Sequence, residues 1–234
     1  MSEFHFKKFS ISQDLTAMKV GTDSILLGAW LKVEMNYKSI LDVGTGTGIL
    51  ALMLAQKKSD AHIVGLEIDE SAYKDALNNS EKCPWSNRLM MHHVDAKDWK
   101  SEPVFDLIVS NPPYFKDAIL SVESNMAKAR HQLTLSLENL IQIWERCGNR
   151  NSDMACILPV ESSTEMMKMV KNKKYHLKNY LAVKTRREKP VKRVLLHFSK
   201  TPCESTRKQL TIFSSSDTYS KEFIELTKDF YLDF

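Results

Sequence analysis

A chain of 234 residues, 43% of them hydrophobic, can bury one substantial core, and no linker forces a division into separate domains. Its apolar runs stay below the span of a bilayer, its first residues lack the ordered regions of a signal peptide, and its four cysteines contain no C-x-x-C pair, so membrane spanning, secretion, a disulfide framework and a zinc site all lack a signal. The expectation is a soluble cytoplasmic protein with reduced thiols, no metal and no obligate protein partner. The net charge of +4 hides a segregation: Lys168 to Arg193 holds eleven Lys or Arg against one acid, Glu188, which leaves the remainder of the chain acidic. Such a patch attracts phosphate backbones through counterion release and makes nucleic acid the leading partner, with a solvated basic face as the alternative.

Strand-like and helix-like segments then take turns along the chain. Ser39 to Val43 reads as a buried strand, Ile49 to Lys57 as a helix, His62 to Glu67 as a second strand and Ser71 to Ser80 as its helix. Leu89 to Val94, Phe105 to Val109, a helix from Ser136 to Cys147 and a strand from Met154 to Leu158 continue the alternation, which implies parallel pairing. The end differs, because Leu177 to Lys184 and Arg193 to Phe198 are joined by a connection too short for a crossover helix. An antiparallel hairpin over residues 177–198 is expected there, followed by a strand from Gln209 to Phe213 and a helix from Tyr219 to Tyr231. The predicted fold is α/β, a doubly wound and mostly parallel sheet in one domain, with residues 1–35 lining the site and 36–234 forming the sheet.

Two motifs carry the chemistry. Three of only seven glycines fall at Gly44, Gly46 and Gly48 in Asp42-Val43-Gly44-Thr45-Gly46-Thr47-Gly48, where a strand turns into a helix with free N-terminal N–H groups. Glu67, at the tip of the next strand, is placed to accept ribose hydroxyls, with Ile68 beside it. The spacing is G-x-G-x-G rather than G-x-G-x-x-G, which favours an adenosyl ligand without phosphates, such as S-adenosylmethionine, over a dinucleotide. Asp42 would then face the ligand's ammonium. Asp95 would accept from an adenine amino group while Ala96 offers its N–H to the ring, although a turn cap at Asp95 is the plain alternative.

The second motif is Asn111-Pro112-Pro113-Tyr114, directly after the fourth strand. An exocyclic amine on adenine is a poor nucleophile because its lone pair is delocalised into the ring. The Asn111 amide oxygen and the Pro112 carbonyl would each take one N–H and hold the nitrogen in line for transfer, while Pro113 stiffens the loop and Tyr114 stacks on the base.

With these strings in hand, the sequence resembles the class I S-adenosylmethionine-dependent N6-adenine methyltransferases. More narrowly, Phe4 to Phe234 looks like the bacterial tRNA1(Val) adenine-37 N6-methyltransferase family. The signs are Ala17 to Asp23, Ile25 to Trp30, Ala51 to Gln56, Ser110 to Tyr114, Arg193 to Leu196 and Phe230 to Leu232. The resemblance implies a seven-stranded Rossmann-like methyltransferase sheet, S-adenosylmethionine as donor, and an adenosine in the anticodon stem-loop of valine tRNA as target. It also implies that Lys19, Gly21 and Thr22 line the methionine end of the cofactor, with Thr22 or Asp23 as a helix N-cap the equal alternative.

An anticodon-loop base is already single-stranded, so presenting it costs less than extracting one from a duplex. RNA phosphates are assigned to Arg186, Arg187, Lys189, Lys192 and Arg193, with Lys7 and Lys8 as weaker additions. Phe4, Phe6 and Phe9 read as core before stacking platforms, and Arg130-His131 lies beyond the catalytic set. Two further readings stay open: methylation of a protein glutamine, disfavoured because little chain precedes the first strand, and an RNA-binding subunit without catalysis, disfavoured by the intact Asp42, Glu67, Asp95 and Asn111.

Overall fold

Strands and helices wind around a central sheet whose order explains the position of every motif. The computed structural model of the chain describes residues 3–16, 19–100, 102, 104–113, 135–215 and 218–234. A small antiparallel hairpin, β1 (Glu3–His5) and β2 (Ser10–Ser12), leads into α1 (Thr22–Trp30). The winding then runs through β3 (Ser39–Val43), α2 (Ile49–Lys57), β4 (His62–Glu67), α3 (Glu70–Lys82), β5 (Leu89–His93) and β6 (Phe105–Ser110). After it come α4 (Leu137–Cys147), β7 (Gly148–Pro159), α5 (Val160–Asn172), β8 (His176–Arg186), β9 (Val191–Ser199), β10 (Thr206–Phe213) and α6 (Lys221–Thr227).

The main sheet has eight strands in the order β10-β8-β9-β7-β6-β3-β4-β5. Among the described residues only β9 runs against the rest, since it pairs antiparallel with both β7 and β8 while β10 lies parallel to β8. The expected basic hairpin is therefore β8–β9. The seven strands implied by resemblance are one too few: β10, which the apolar run at residues 209–213 already signals, adds to the edge of the hairpin. Burying Leu210 while leaving the first four residues of β10 exposed, this strand gains its place mainly from the parallel ladder with β8.

Helices cover both faces, as a doubly wound sheet requires. On one side α1, α2, α6 and the N-terminal hairpin share a core with Ile40, Ile63 and Leu107; on the other, α4 and α5 pack on Leu41, Ile108 and Met154. All seven residues from Ile49 to Ala55 are buried, so α2 has no solvent stripe and lies between the sheet and α1. The two helices approach closely because Gly28 has no side chain; a Cβ there would stand 2.8 Å from Met53 Sδ. Lys57 closes the far end of α1 by donating to the carbonyls of Gly28, Ala29 and Leu31 at 3.0, 2.7 and 2.6 Å. Burial pushes this ammonium down to about 8.

Three elements depart from the sequence expectations. α5 was not expected, because only Ser163, Met166 and Val170 are buried and its apolar stripe is diluted by Lys, Glu and Ser. β7 begins six residues early and carries an irregularity opposite β6. α1 starts with Gly21 as N-cap and no side-chain cap, so neither Thr22 nor Asp23 caps it. Phe6 and Phe9 are core, stacked on each other at 4.6 Å, and half-buried Phe4 packs on Phe6.

Candidate active site

Ligands of open α/β sheets gather at the carboxyl ends of the strands, and here that edge reads as a sequence of chemistries. In strand order it carries Asp95 after β5, Glu67 at β4, Asp42 and the glycine turn at β3, Asn111 after β6, then the start of β9, the end of β8 and the end of β10. A cavity of about 750 Å³ runs along it. Lys19, Gly21, Thr22, Asp42, Gly44, Thr45, Gly46, Glu67, Ile68, Asp95, Ala96, Asn111, Pro112 and Pro113 all line it, as do Lys192 and Arg193. Gly48 does not. It sits behind the wall as N-cap of α2.

The turn is held by backbone geometry that L side chains rarely adopt: φ is 70° at Gly44, 59° at Gly46 and 84° at Gly48. Gly44 and Thr45 both donate to Leu66 O, at 2.9 and 3.0 Å, which pins the turn to the end of β4. Glu67 braces it from the side. Its Oε2 accepts from Gly46 N at 2.8 Å, and its Oε1 accepts from Ile68 N and Asp69 N, each at 2.9 Å. A carboxylate offers about four acceptor sites. Glu67 thus has room for about one further donor, where two ribose hydroxyls were expected.

Asp42 is the most telling residue of this half. It is 1% exposed; Oδ2 accepts from Thr45 Oγ1 at 2.6 Å, while Oδ1 is buried and makes no close hydrogen bond among the described residues. Burial pushes its carboxyl up to about 7, and the nearby Glu67 charge pushes the same way, against the Thr45 hydroxyl and the backbone N–H of Ala51. An unsatisfied buried carboxylate oxygen costs roughly 1–3 kcal/mol or more, so the site favours a cation that would satisfy it. The ammonium of S-adenosylmethionine fits that requirement, Glu67 suits a ribose hydroxyl, and Asp95 with Ala96 suits an adenine edge beside Ile68. Asp95 also caps its own turn: Oδ1 accepts from Lys97 N at 2.9 Å and Oδ2 pairs with Lys97 Nζ at 3.2 Å. The cap and the cavity wall are the same residue.

Lys19 lines the cavity and is also tied to the chain itself. Its ammonium donates to the carbonyls of Gln13 and Thr16 and so braces the segment before α1. That segment is also clamped from α3, where Asp75 accepts from Leu15 N and Thr16 N at 3.2 and 2.8 Å. Asn79 adds bonds to Ser12 and to Thr47 O of the glycine turn. Asp75 and Asn79 escaped the sequence reading, though a polar i,i+4 pair sharing the buried face with Ala72 and Ala76 was the available signal.

Asn111 is half-buried, Pro112 buried and Pro113 exposed. The Asn111 Nδ2 donates to Ser24 Oγ at 2.8 Å, so the first turn of α1 sets the rotation of the amide. Ser110 Oγ donates to Val43 O at 2.8 Å and ties the strand end to the root of the glycine turn. Tyr114 and Arg130-His131 lie outside the described residues. Neither bond has a sequence signal, because Ser24 and Ser110 each reach a partner many residues away in the chain.

The basic residues separate into groups. Arg187, Lys189 and Lys192 are exposed on or beside the β8–β9 turn, and Arg186 is half-buried. Arg193 Nε pairs with Asp23 Oδ2 at 2.8 Å, joining β9 to α1. Lys7 donates to Lys228 O at 2.7 Å and to Phe234 O, anchoring the end of the chain; Lys8 is exposed.

Comparison with known proteins agrees with this geometry. The family model for the methyltransferase small domain matches residues 16–146. A tRNA1(Val) (adenine(37)-N6)-methyltransferase of Flavobacterium psychrophilum is 39% identical over 231 residues, covering 98% of this chain and 99% of its own. One of Tolumonas auensis is 40% identical over 230 residues, covering 98% and 96%. Among solved structures, a predicted O-methyltransferase from Agrobacterium tumefaciens superposes with a TM-score of 0.68 at 16% identity, over 88% of this chain and 96% of that one. P. horikoshii TYW2 in complex with MeSAdo gives 0.57 at 16% identity, over 82% and 67%. These two likenesses bear on the fold. By sequence, the chain belongs to the tRNA1(Val) (adenine(37)-N6)-methyltransferase family.

Proposed function

We propose that this protein transfers a methyl group from S-adenosylmethionine to the N6 amine of an adenosine in tRNA, and that the target is adenosine 37 in the anticodon stem-loop of tRNA1(Val), as the relatives' name has it. The whole chain acts as one catalytic domain. The observation that carries this reading is the position of Asn111 on the sheet edge, between an acidic half built around Asp42 and a basic half built on the β8–β9 hairpin.

When bound, S-adenosylmethionine supplies a methyl group on a sulfonium. The chain does the rest. Asp42 and Glu67 hold the polar ends of the donor, and Asp95 with Ala96 orients its adenine. Ser24 accepts from the Asn111 Nδ2 and helps to orient the amide, whose carbonyl oxygen we assign to the incoming amine. Together with the Pro112 carbonyl, it accepts both N–H groups of the target and favours a nitrogen whose lone pair points out of the ring. No side-chain base is required, because the amine proton leaves to water after transfer. The exposed cations of the hairpin bind phosphates and set the strand's register.

The test is incubation with methyl-labelled donor and a synthetic anticodon stem-loop, followed by nucleoside mass spectrometry. N6-methyladenosine should form at one position, and Asn111→Ala should lower turnover by roughly 10²-fold or more while S-adenosylhomocysteine still binds. Label found on a glutamine-bearing peptide and absent from RNA would overturn the reading.

A further inference from the structure

The cavity does not end at Asn111. Its far wall is made by the C-terminal part of the chain, where Phe213, Tyr219, Phe223 and Tyr231 line the same space as Lys192 and Arg193. The rings of Phe213 and Tyr219 are stacked at 4.9 Å and 20°, and those of Tyr219 and Phe223 at 4.8 Å and 18°. Tyr219 lies between the other two rings and meets Phe234 edge-on at 5.2 Å; Phe223 is fully buried, Tyr219 is 36% exposed and Phe213, at the end of the stack, is half-buried. The outer pair is held in place by a backbone bridge between Phe213 and Tyr219 and by Ser220 N donating to Ile212 O at 2.8 Å.

We propose that Phe213, backed by the stacked ring of Tyr219, is a stacking platform for the nucleobase next to the methylated adenosine. The proposal rests on RNA being the substrate. Bringing one base of a loop to Asn111 separates it from its neighbour, and the neighbour then exposes an unstacked face. An aromatic surface restores that stacking without reading sequence, and adjoining cations donate to the intervening phosphate. The placement suits this. Phe213 ends β10 at the basic end of the edge, its Cα paired with that of Arg186, while the acidic cofactor residues occupy the opposite end. Negatively charged RNA is thereby favoured on the aromatic side and disfavoured on the other.

The experiment combines protein and RNA changes. Methylation and binding of the anticodon stem-loop are measured for the wild type, Phe213→Leu, Tyr219→Leu and Tyr219→Phe, with the intact RNA and with RNAs abasic at the nucleotide on either side of the target. S-adenosylhomocysteine affinity is measured in parallel. The leucine variants should bind intact RNA about 5- to 150-fold more weakly, the range set by one stacked base, and Tyr219→Phe should match the wild type. One of the abasic RNAs should show the same loss with wild-type protein and no further loss with Phe213→Leu. If neither abasic RNA is weakened, or if the losses multiply, the platform is excluded. Loss of S-adenosylhomocysteine binding in the leucine variants would make these rings a cofactor wall and overturn the proposal. A wild-type protein that methylates none of the RNAs contradicts the assigned function instead.

Discussion

Asp42 carries a conflict that a bound cation resolves. One of its oxygens accepts from Thr45, the other makes no close hydrogen bond among the described residues, and burial keeps the carboxyl protonated up to about pH 7 in the free protein. Because the folded value lies above the ordinary 3.8, this group favours the fold below about pH 4 and that contribution is lost as pH rises through 7. Binding an ammonium reverses the preference. Affinity for S-adenosylhomocysteine should therefore climb with pH by up to about tenfold per unit and level off near 7. Titration calorimetry at pH 6 in two buffers of different ionisation heat should record release of about one proton. At pH 8.5 there should be almost none, and Asp42→Asn should release none at either pH. Ser24 makes a second prediction at this scale. Removing its hydroxyl takes away one bond that orients the Asn111 amide, so Ser24→Ala should lower kcat roughly 3- to 10-fold, with the KM values for donor and RNA unchanged and Ser24→Thr restoring much of the rate. A change confined to KM would assign Ser24 to binding.

At the scale of elements, the end of the sheet opposite the site is locked by a polar chain that runs from exposed Thr206 to buried Asp153. Thr206 of β10 donates to Asn179 Oδ1 at 2.7 Å, Asn179 Nδ2 bonds His197 Nδ1 at 3.1 Å, and His197 Nε2 bonds Asp153 Oδ2 at 3.0 Å. Lys178 pairs with the same Asp153 oxygen at 2.7 Å and Tyr37 donates to it. Four strands, β7, β9, β8 and β10, are joined in this way. Burial alone would raise the Asp153 carboxyl, but the bonds from His197, Lys178 and Tyr37 outweigh it and hold it well below the usual carboxylate range. With the folded value depressed, the stabilisation is present above about pH 4 and is lost as pH falls through the folded value. Asp153→Ala removes the buried acceptor shared by His197, Lys178 and Tyr37, leaving Lys178 with Glu34, and should cost about 3–5 kcal/mol in urea unfolding at pH 7. A cost below about 1 kcal/mol, the range of a surface pair, would show that the chain does not lock these strands. None of this was visible in the sequence, where Asp153 and His197 lie far apart and only the antiparallel register of β7 with β9 brings their ends of the strands together.

Across the whole molecule, charge is distributed by strand order. Arg187 and Lys189 are exposed at the tip of the β8–β9 hairpin, while the carboxylates of the cofactor half lie beyond Asn111. The paired alanine substitution Arg187→Ala with Lys189→Ala should weaken stem-loop binding and reduce the slope of log K against log salt by about 0.7 for each phosphate of single-stranded RNA that is no longer neutralised. Cofactor affinity should not move. Arg193 should behave differently, because its pairing with Asp23 couples the hairpin to the helix that orients Asn111. Arg193→Ala is expected to lower kcat as well as RNA affinity, and a purely salt-dependent defect would sever that coupling.

What the sequence determined by itself was local and periodic. A cluster of glycines at a strand-to-helix junction, the alternation of apolar runs, a connection too short for a crossover and the Asn-Pro-Pro string are all written in neighbouring residues, and each was legible without coordinates. α5 was not, because its burial is confined to a narrow stripe, and neither were the partners of Asn111, Asp75 or Asp153, which come from elements many residues away. Only the tertiary structure decided that Glu67 divides its oxygens between the turn and the following backbone, that Lys19 and Lys7 serve carbonyls of the chain, and that aromatic rings from the C-terminus close the cavity. The reason is physical: local backbone preference repeats along the chain and can be read there, whereas hydrogen-bond partners and cavity walls are chosen by register and by packing across the sheet.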